Sequence, residues 1–125
     1  MNPTTNDNES SRPKVLVTGG GGFLGSAIIE RLVARGDAVR SLSRSHYPNL
    51  ANMGVDQIQG DIGDRQTVEA VCRGVELVFH VAAKPPPWGT YQAYYKTNVV
   101  GTQNVIDGCT RNKISTLVYT STPSV

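Results

Sequence analysis

Three glycines at a constant spacing open the chemical reading of this chain. In Thr18-Gly19-Gly20-Gly21-Gly22-Phe23-Leu24-Gly25, the residues Gly19, Gly22 and Gly25 stand three apart. Each meets a different need of a phosphate-binding turn. Gly19 allows a tight exit from a strand, Gly22 lets the backbone approach a pyrophosphate without a Cβ, and Gly25 lets a helix pack closely on a sheet. The free N–H groups and partial positive charge of the helix N-terminus then face the phosphates. No Lys-Ser/Thr pair follows, so this is not a nucleoside-triphosphate loop. The alternative is a flexible glycine turn with no ligand. At the end of the next apolar segment a dinucleotide site asks for a carboxylate to hold the ribose 2′-hydroxyl. Val39-Arg40-Ser41-Leu42-Ser43-Arg44 has none. Ser43 can hydrogen-bond there and Arg44 can pair with a 2′-phosphate, which favours NADP over NAD; the alternative is that Arg44 is a solvated loop residue.

These residues need elements to position them, and the chain supplies alternating strands and helices. Lys14 to Thr18 is apolar on both faces, as in a strand buried in a parallel sheet. Phe23 to Arg35 carries Leu24, Ala27, Ile28, Leu32 and Val33 at helical spacing and ends at Gly36. Ala38 to Ser43 reads as a second strand, Tyr47 to Gly54 as a loop with room for one helical turn, and Val55 to Gln59 as a third strand. Asp64 caps a helix that runs to Cys72, with Val68 and Val71 inward and Gly74 at its end. Glu76 to Val81 is the fourth strand, Lys84 to Pro87 a loop, and Thr90 to Asn112 a long helix with an apolar stripe of Tyr95, Val99, Thr102, Ile106 and Cys109. Thr116 to Thr120 is the fifth strand. The order predicts an α/β fold of the Rossmann type, a doubly wound parallel sheet with strand order 3-2-1-4-5, stopping before a sixth strand.

Composition narrows the class. The 125 residues are 38% hydrophobic and 18% charged, enough for one soluble globular domain. A net charge of +2 gives no nucleic-acid surface. Residues 1–12 read as a disordered polar tail without the apolar centre of a secretory signal, and the domain as 13–125. No apolar run is long enough to span a membrane. Cys72 and Cys109 form no metal-ligand spacing and read as reduced, buried thiols of a cytoplasmic protein. His80, alone at the end of an apolar strand, reads as packed and hydrogen-bonded rather than catalytic.

Thr18 to Gly25 matches every fixed position of Thr-Gly-x-x-Gly-Phe-x-Gly, and the chain from 14 to 125 resembles the extended short-chain dehydrogenase/reductase (NAD-dependent epimerase/dehydratase) superfamily. Ala82-Ala-Lys-Pro-Pro-Pro-Trp-Gly89, Tyr94-Tyr-Lys-Thr-Asn98 and Tyr119-Thr-Ser-Thr-Pro-Ser-Val125 most resemble its 3β-hydroxysteroid dehydrogenase/isomerase branch, with dihydroflavonol reductases and sugar-nucleotide epimerases as neighbours. The resemblance implies an oxidoreductase acting on the CH–OH group of a hydrophobic, steroid-like secondary alcohol or ketone with NADP or NAD. It implies that Gly19, Gly22, Phe23, Leu24 and Gly25 hold the dinucleotide and that Asp61 binds the adenine amino group with Ile62 beside the ring. Ala82 and Ala83 would line the cofactor ribose, and Asn98 would order backbone and water. Thr122, or Ser121 one residue before it, would supply the catalytic hydroxyl. It also implies pairing of two copies through the 90–112 helix.

The superfamily's chemistry needs Tyr-x-x-x-Lys, in which the lysine lowers the pKa of a tyrosine that exchanges a proton with substrate. Four residues after Tyr47, Tyr91, Tyr94, Tyr95 and Tyr119 stand Ala51, Tyr95, Asn98, Val99 and Pro123. The pair is absent, so the chain is expected to be the N-terminal, cofactor-binding part of a longer enzyme. Two alternatives stay open: a nucleotide-sugar epimerase or dehydratase, and a non-catalytic dinucleotide-binding module.

Overall fold

A computed structural model describes residues 14–81, 92 and 95–120 of the chain. The tail at 1–12, Ala82, Ala83, the 84–87 loop, Ser121 and Thr122 lie outside the described residues. The elements are β1 (Lys14–Thr18), α1 (Phe23–Arg35), β2 (Ala38–Ser43), the short α2 (Pro48–Asn52), β3 (Asp56–Gln59), α3 (Arg65–Val71), β4 (Leu77–His80), a π-helical turn (Lys96–Val100) leading directly into α4 (Gly101–Arg111), and β5 (Thr116–Tyr119). The five strands are parallel in the order β3-β2-β1-β4-β5, the order read from the sequence.

The central strand sends side chains into both layers. Leu16 joins Leu42, Val68, Val78 and Val105 under α3 and α4. Val15 and Val17 join Ile29, Leu32, Val39 and Leu50 under α1 and α2. A strand buried on both sides cannot alternate apolar with polar, and β1 does not. Gly36 closes α1 in the left-handed region at φ 94°, its N–H returning to the carbonyls of Leu32 and Val33. The Asp64 carboxylate caps α3 by accepting from the Gln66 N–H at 3.1 Å and the Thr67 hydroxyl at 2.9 Å.

Two helix faces differ from the sequence expectation. On α1 the buried row is Gly25, Ile29 and Leu32, while Leu24 is 44% exposed and Ala27 is exposed. The helix turns this way because Gly25 must lie against the Gly19 carbonyl, where any Cβ would overlap it. On the last helix, Tyr95, Val99 and Ile106 face outward, Thr102 is half-buried, and of the expected stripe only Cys109 is buried. The inward face is Thr97, Gly101, Asn104, Val105, Gly108 and Cys109. A Cβ at Gly101 would come within 2.7 Å of Ile62, and one at Gly108 within 3.0 Å of the Cys72 sulfur. Close approach to α3 and to the loop before it therefore selects glycine at these two positions, which a hydrophobic period does not detect. The helix is also not a single α-helix: at Lys96–Val100 it widens, the Gly101 N–H reaching back five residues to the Lys96 carbonyl.

Candidate dinucleotide site

The glycine turn follows from its backbone. Gly19 has φ 75°, open to glycine at little cost. Its carbonyl accepts from the Gly22 N–H at 3.1 Å, and the Gly22 carbonyl accepts from the Ser26 N–H at 2.9 Å as α1 begins. The Ser26 hydroxyl fastens the loop by donating to the Gly20 carbonyl at 2.9 Å. Gly22, at the N-cap, gives no side-chain cap, and no acidic residue stands in the first turn. An uncapped helix start with no competing carboxylate is a ready anion site. The glycines are not equivalent. A Cβ at Gly20 would lie 2.7 Å from the Cδ1 of Ile29, and at Gly21 it would overlap the Tyr47 ring, so side chains at both positions would displace a neighbour. At Gly22 a Cβ would meet only the Gly19 carbonyl at an ordinary 3.5 Å, and the backbone is extended there. Among the described residues nothing demands glycine at position 22. A bare backbone at this position suits the close approach of a pyrophosphate. Phe23, 95% exposed, and Leu24, 44% exposed, follow it at the start of α1.

His80 sits behind the loop, at the same level as Thr18 and Tyr119 in the sheet register. It is 1% exposed, as read from its place on an apolar strand. Its Nδ1 lies 2.8 Å from the Thr18 hydroxyl, its Nε2 lies 2.9 Å from the Thr102 hydroxyl, and its ring stacks on Tyr119. Burial pushes the imidazole down to about 4, so it is neutral at pH 7. Thr18 also accepts the Val81 N–H at 3.0 Å, which ties the exit of β4 to the exit of β1. One buried ring thus joins the glycine turn, β4, α4 and β5.

The other end of the site gathers around Asp61, just beyond β3. Its Oδ1 accepts from the Gly63 N–H at 2.8 Å and lies 3.5 Å from the Arg44 guanidinium, while its Oδ2 lies 3.5 Å from Lys96 Nζ. The Gly63 hydrogen bond, aided by Arg44 and Lys96, holds its carboxyl below the usual range against the opposing effect of burial. Arg44 also donates to the Thr97 hydroxyl at 3.4 Å. Ser43 Oγ is buried with no partner among the described residues. Ile62 is only 6% exposed, and its carbonyl accepts from Asn104, so its side chain serves the core on the α4 side. Asn98 is half-buried within the π-helical turn, a feature frequent at functional sites.

The fold therefore brings Gly19, Gly22, Phe23, Leu24 and Gly25 together at one strand–helix junction, and sets Ser43, Arg44 and Asp61 at neighbouring strand ends. Ala82, Ala83, Ser121 and Thr122 fall on undescribed residues that follow β4 and β5. Sequence reading missed three participants. Tyr47 covers the glycine turn, Thr102 holds His80, and Lys96 reaches Asp61; only contacts made far along the chain reveal them. Among the described residues no cluster of three His, Cys, Asp or Glu could hold a metal, and no helix is long and apolar enough to cross a membrane.

Comparison with known proteins agrees with this geometry. The chain is 55% identical over 112 residues to a 2-alkyl-3-oxoalkanoate reductase of Stenotrophomonas maltophilia, covering 90% of the chain and 34% of the relative. It is 36% identical over 118 residues to the human decarboxylating sterol-4-alpha-carboxylate 3-dehydrogenase, covering 94% of the chain and 31% of the relative. It thus spans about a third of the length of the curated relatives it matches. Among solved structures, MoeE5 in complex with UDP-glucose and NAD superposes with a TM-score of 0.77 at 30% identity, over 90% of this chain and 37% of that one. With the glycine turn, the strand order and a family model that matches residues 16–125 all in agreement, the chain belongs to the 3-beta hydroxysteroid dehydrogenase/isomerase family.

Proposed function

We propose that this chain is the cofactor-binding part of an NAD(P)-dependent oxidoreductase that interconverts a secondary alcohol and a ketone. The observation that carries the reading is the uncapped start of α1 behind a turn in which a Cβ at Gly22 would meet, among the described residues, only ordinary contact with the Gly19 carbonyl. The nicotinamide supplies or takes the hydride. This chain's residues bind and orient: Gly22 and the first-turn N–H groups of α1 hold the pyrophosphate, Arg44 faces the adenosine ribose, and Asp61 accepts from the adenine amino group. By the family resemblance, Ala82 and Ala83 serve the cofactor ribose, Asn98 orders backbone and water, and Thr122 or Ser121 offers a hydroxyl to the substrate oxygen. Arg44 favours NADP, since a guanidinium suits a 2′-phosphate.

The two named relatives share a substrate pattern. A 2-alkyl-3-oxoalkanoate and a sterol-4-carboxylate oxidised at C3 both carry the reacting oxygen one carbon away from the carbon that bears the carboxylate. The substrate proposed here is accordingly a hydrophobic β-keto or β-hydroxy acid, branched at the carbon between the two groups. The higher identity to the reductase supports this reading over a sugar-nucleotide epimerase. The buried thiols fit a reducing cytoplasm, and the outward row of Tyr95, Val99 and Ile106 supports pairing with a second copy. Calorimetric titration of the protein with NADPH and NADH, followed by turnover of a 2-alkyl-3-oxo acid against the matching ketone without the carboxylate, tests the proposal. Binding of one dinucleotide with selective reduction of the acid is expected. A folded protein that binds neither dinucleotide would overturn it.

A further inference from the structure

We propose that Lys96 is a second determinant of cofactor choice, forming with Arg44 a two-cation clamp for the 2′-phosphate; this rests on the reading of Arg44 as a 2′-phosphate ligand. The two side chains come from distant elements, Arg44 from the end of β2 and Lys96 from the first residue of the π-helical turn. They converge on one carboxylate. Arg44 lies 3.5 Å from Asp61 Oδ1 and Lys96 Nζ lies 3.5 Å from Asp61 Oδ2. Two cations that grip the two oxygens of one carboxylate have the reach to grip two oxygens of one phosphate.

The surroundings favour that exchange. The Lys96 stem lies over Gly63, where a Cβ would come within 2.6 Å of its Cε, so the groove directs the ammonium towards the end of β3. Thr97, next in sequence, receives the Arg44 guanidinium, so the same turn steers both cations. Both heads are more than half exposed. Two cations against one carboxylate leave a surplus of one positive charge at this end of the site. A phosphate monoester carries a charge of roughly −1.5 to −2 at pH 7 and three acceptor oxygens, and so competes well against a carboxylate for both cations. Asp61 keeps its Gly63 N–H when they leave. Asp61 thus stands in for the phosphate until the cofactor arrives.

The test titrates the protein with adenosine 2′,5′-bisphosphate and with 5′-AMP, which share the adenosine end and lack the nicotinamide. The variants are Lys96→Met and Arg44→Met, with folding followed by circular dichroism. Lys96→Met is expected to weaken the bisphosphate about tenfold and to leave AMP within about twofold, the scale of one lost charge-assisted contact. Arg44→Met is expected to act in the same direction, and the double variant to abolish discrimination. Equal change for both probes, no change, or tighter binding of both by Lys96→Met overturns the clamp. If Arg44→Met alone discriminates, the Lys96 proposal fails while the Arg44 reading stands. If the unsubstituted protein does not prefer the bisphosphate, both fail.

Discussion

The Nε2 of His80 lies 2.9 Å from the hydroxyl of Thr102, although the two residues belong to different layers of the fold, a central strand and the helix above it. With Nδ1 held by Thr18, the ring has a partner on both nitrogens and no contact with solvent. His80 is therefore a structural tie behind the cofactor turn. Its ordinary pKa is 6.5, and burial lowers it to about 4 in the folded protein. The unfolded chain binds a proton as pH falls through 6.5, while the folded chain resists until about 4. The His80 contribution is full above pH 6.5 and is lost as pH falls towards 4, costing on the order of 3 kcal/mol. Urea denaturation across this range is expected to show that decline in the natural protein. Replacing the ring by leucine is expected to flatten it in that window and to cost about 2 kcal/mol at pH 7. Equal slopes in both proteins would refute the assignment.

Gly22 and Gly25 separate binding from folding. Gly22→Val meets ordinary space and an extended backbone, so the variant is expected to keep its melting temperature within a few degrees. Its side chain would stand in the way of the pyrophosphate and weaken dinucleotide binding at least a hundredfold. Gly25→Ala would force the Gly19 carbonyl and α1 apart and is expected to destabilise the fold by about 2–3 kcal/mol. Thermal melts paired with titration calorimetry distinguish the two behaviours. A Gly22→Val protein that still binds would move the phosphate site elsewhere.

Arg40 holds α3 to the sheet. Its guanidinium donates to the carbonyls of Val71 at 2.8 Å and Arg73 at 3.0 Å, where a helix end would otherwise leave them unpaired, and it also pairs with Asp56. Arg40→Ala is expected to lower stability by about 1–2 kcal/mol while leaving dinucleotide affinity unchanged. Denaturant midpoints and one binding isotherm check both halves of the statement.

Cys72 and Cys109 are buried and unpaired between α3 and α4. Burial, with the neighbouring Cys109, pushes the Cys72 thiol up to about 12, and burial raises Cys109 as well. Little thiolate is available, so a water-soluble thiol reagent is expected to label neither in the folded protein at pH 8, and both after unfolding. Rapid labelling of the native state would show that the α3–α4 contact opens.

The sequence by itself determined the order of elements, the parallel sheet and the place of the dinucleotide turn, because these follow from local steric rules. Glycines stand where the backbone bends left-handed or another group comes too near, both-sided apolar runs make buried strands, and Asp64 caps the helix it precedes. Within that turn, only the tertiary structure showed that Gly20 and Gly21 lie against Ile29 and Tyr47, since those side chains come from other parts of the chain. It also decided which way the helices face. The row of Tyr95, Val99 and Ile106 has the period of a buried stripe, yet α4 buries Gly101, Asn104 and Gly108, because close approach of two helices rewards small size over hydrophobicity. The pairing of Arg44 and Lys96 on Asp61, and of Thr18 and Thr102 on His80, joins residues up to 62 positions apart. Sheet register and crossover geometry, not local sequence, set those distances.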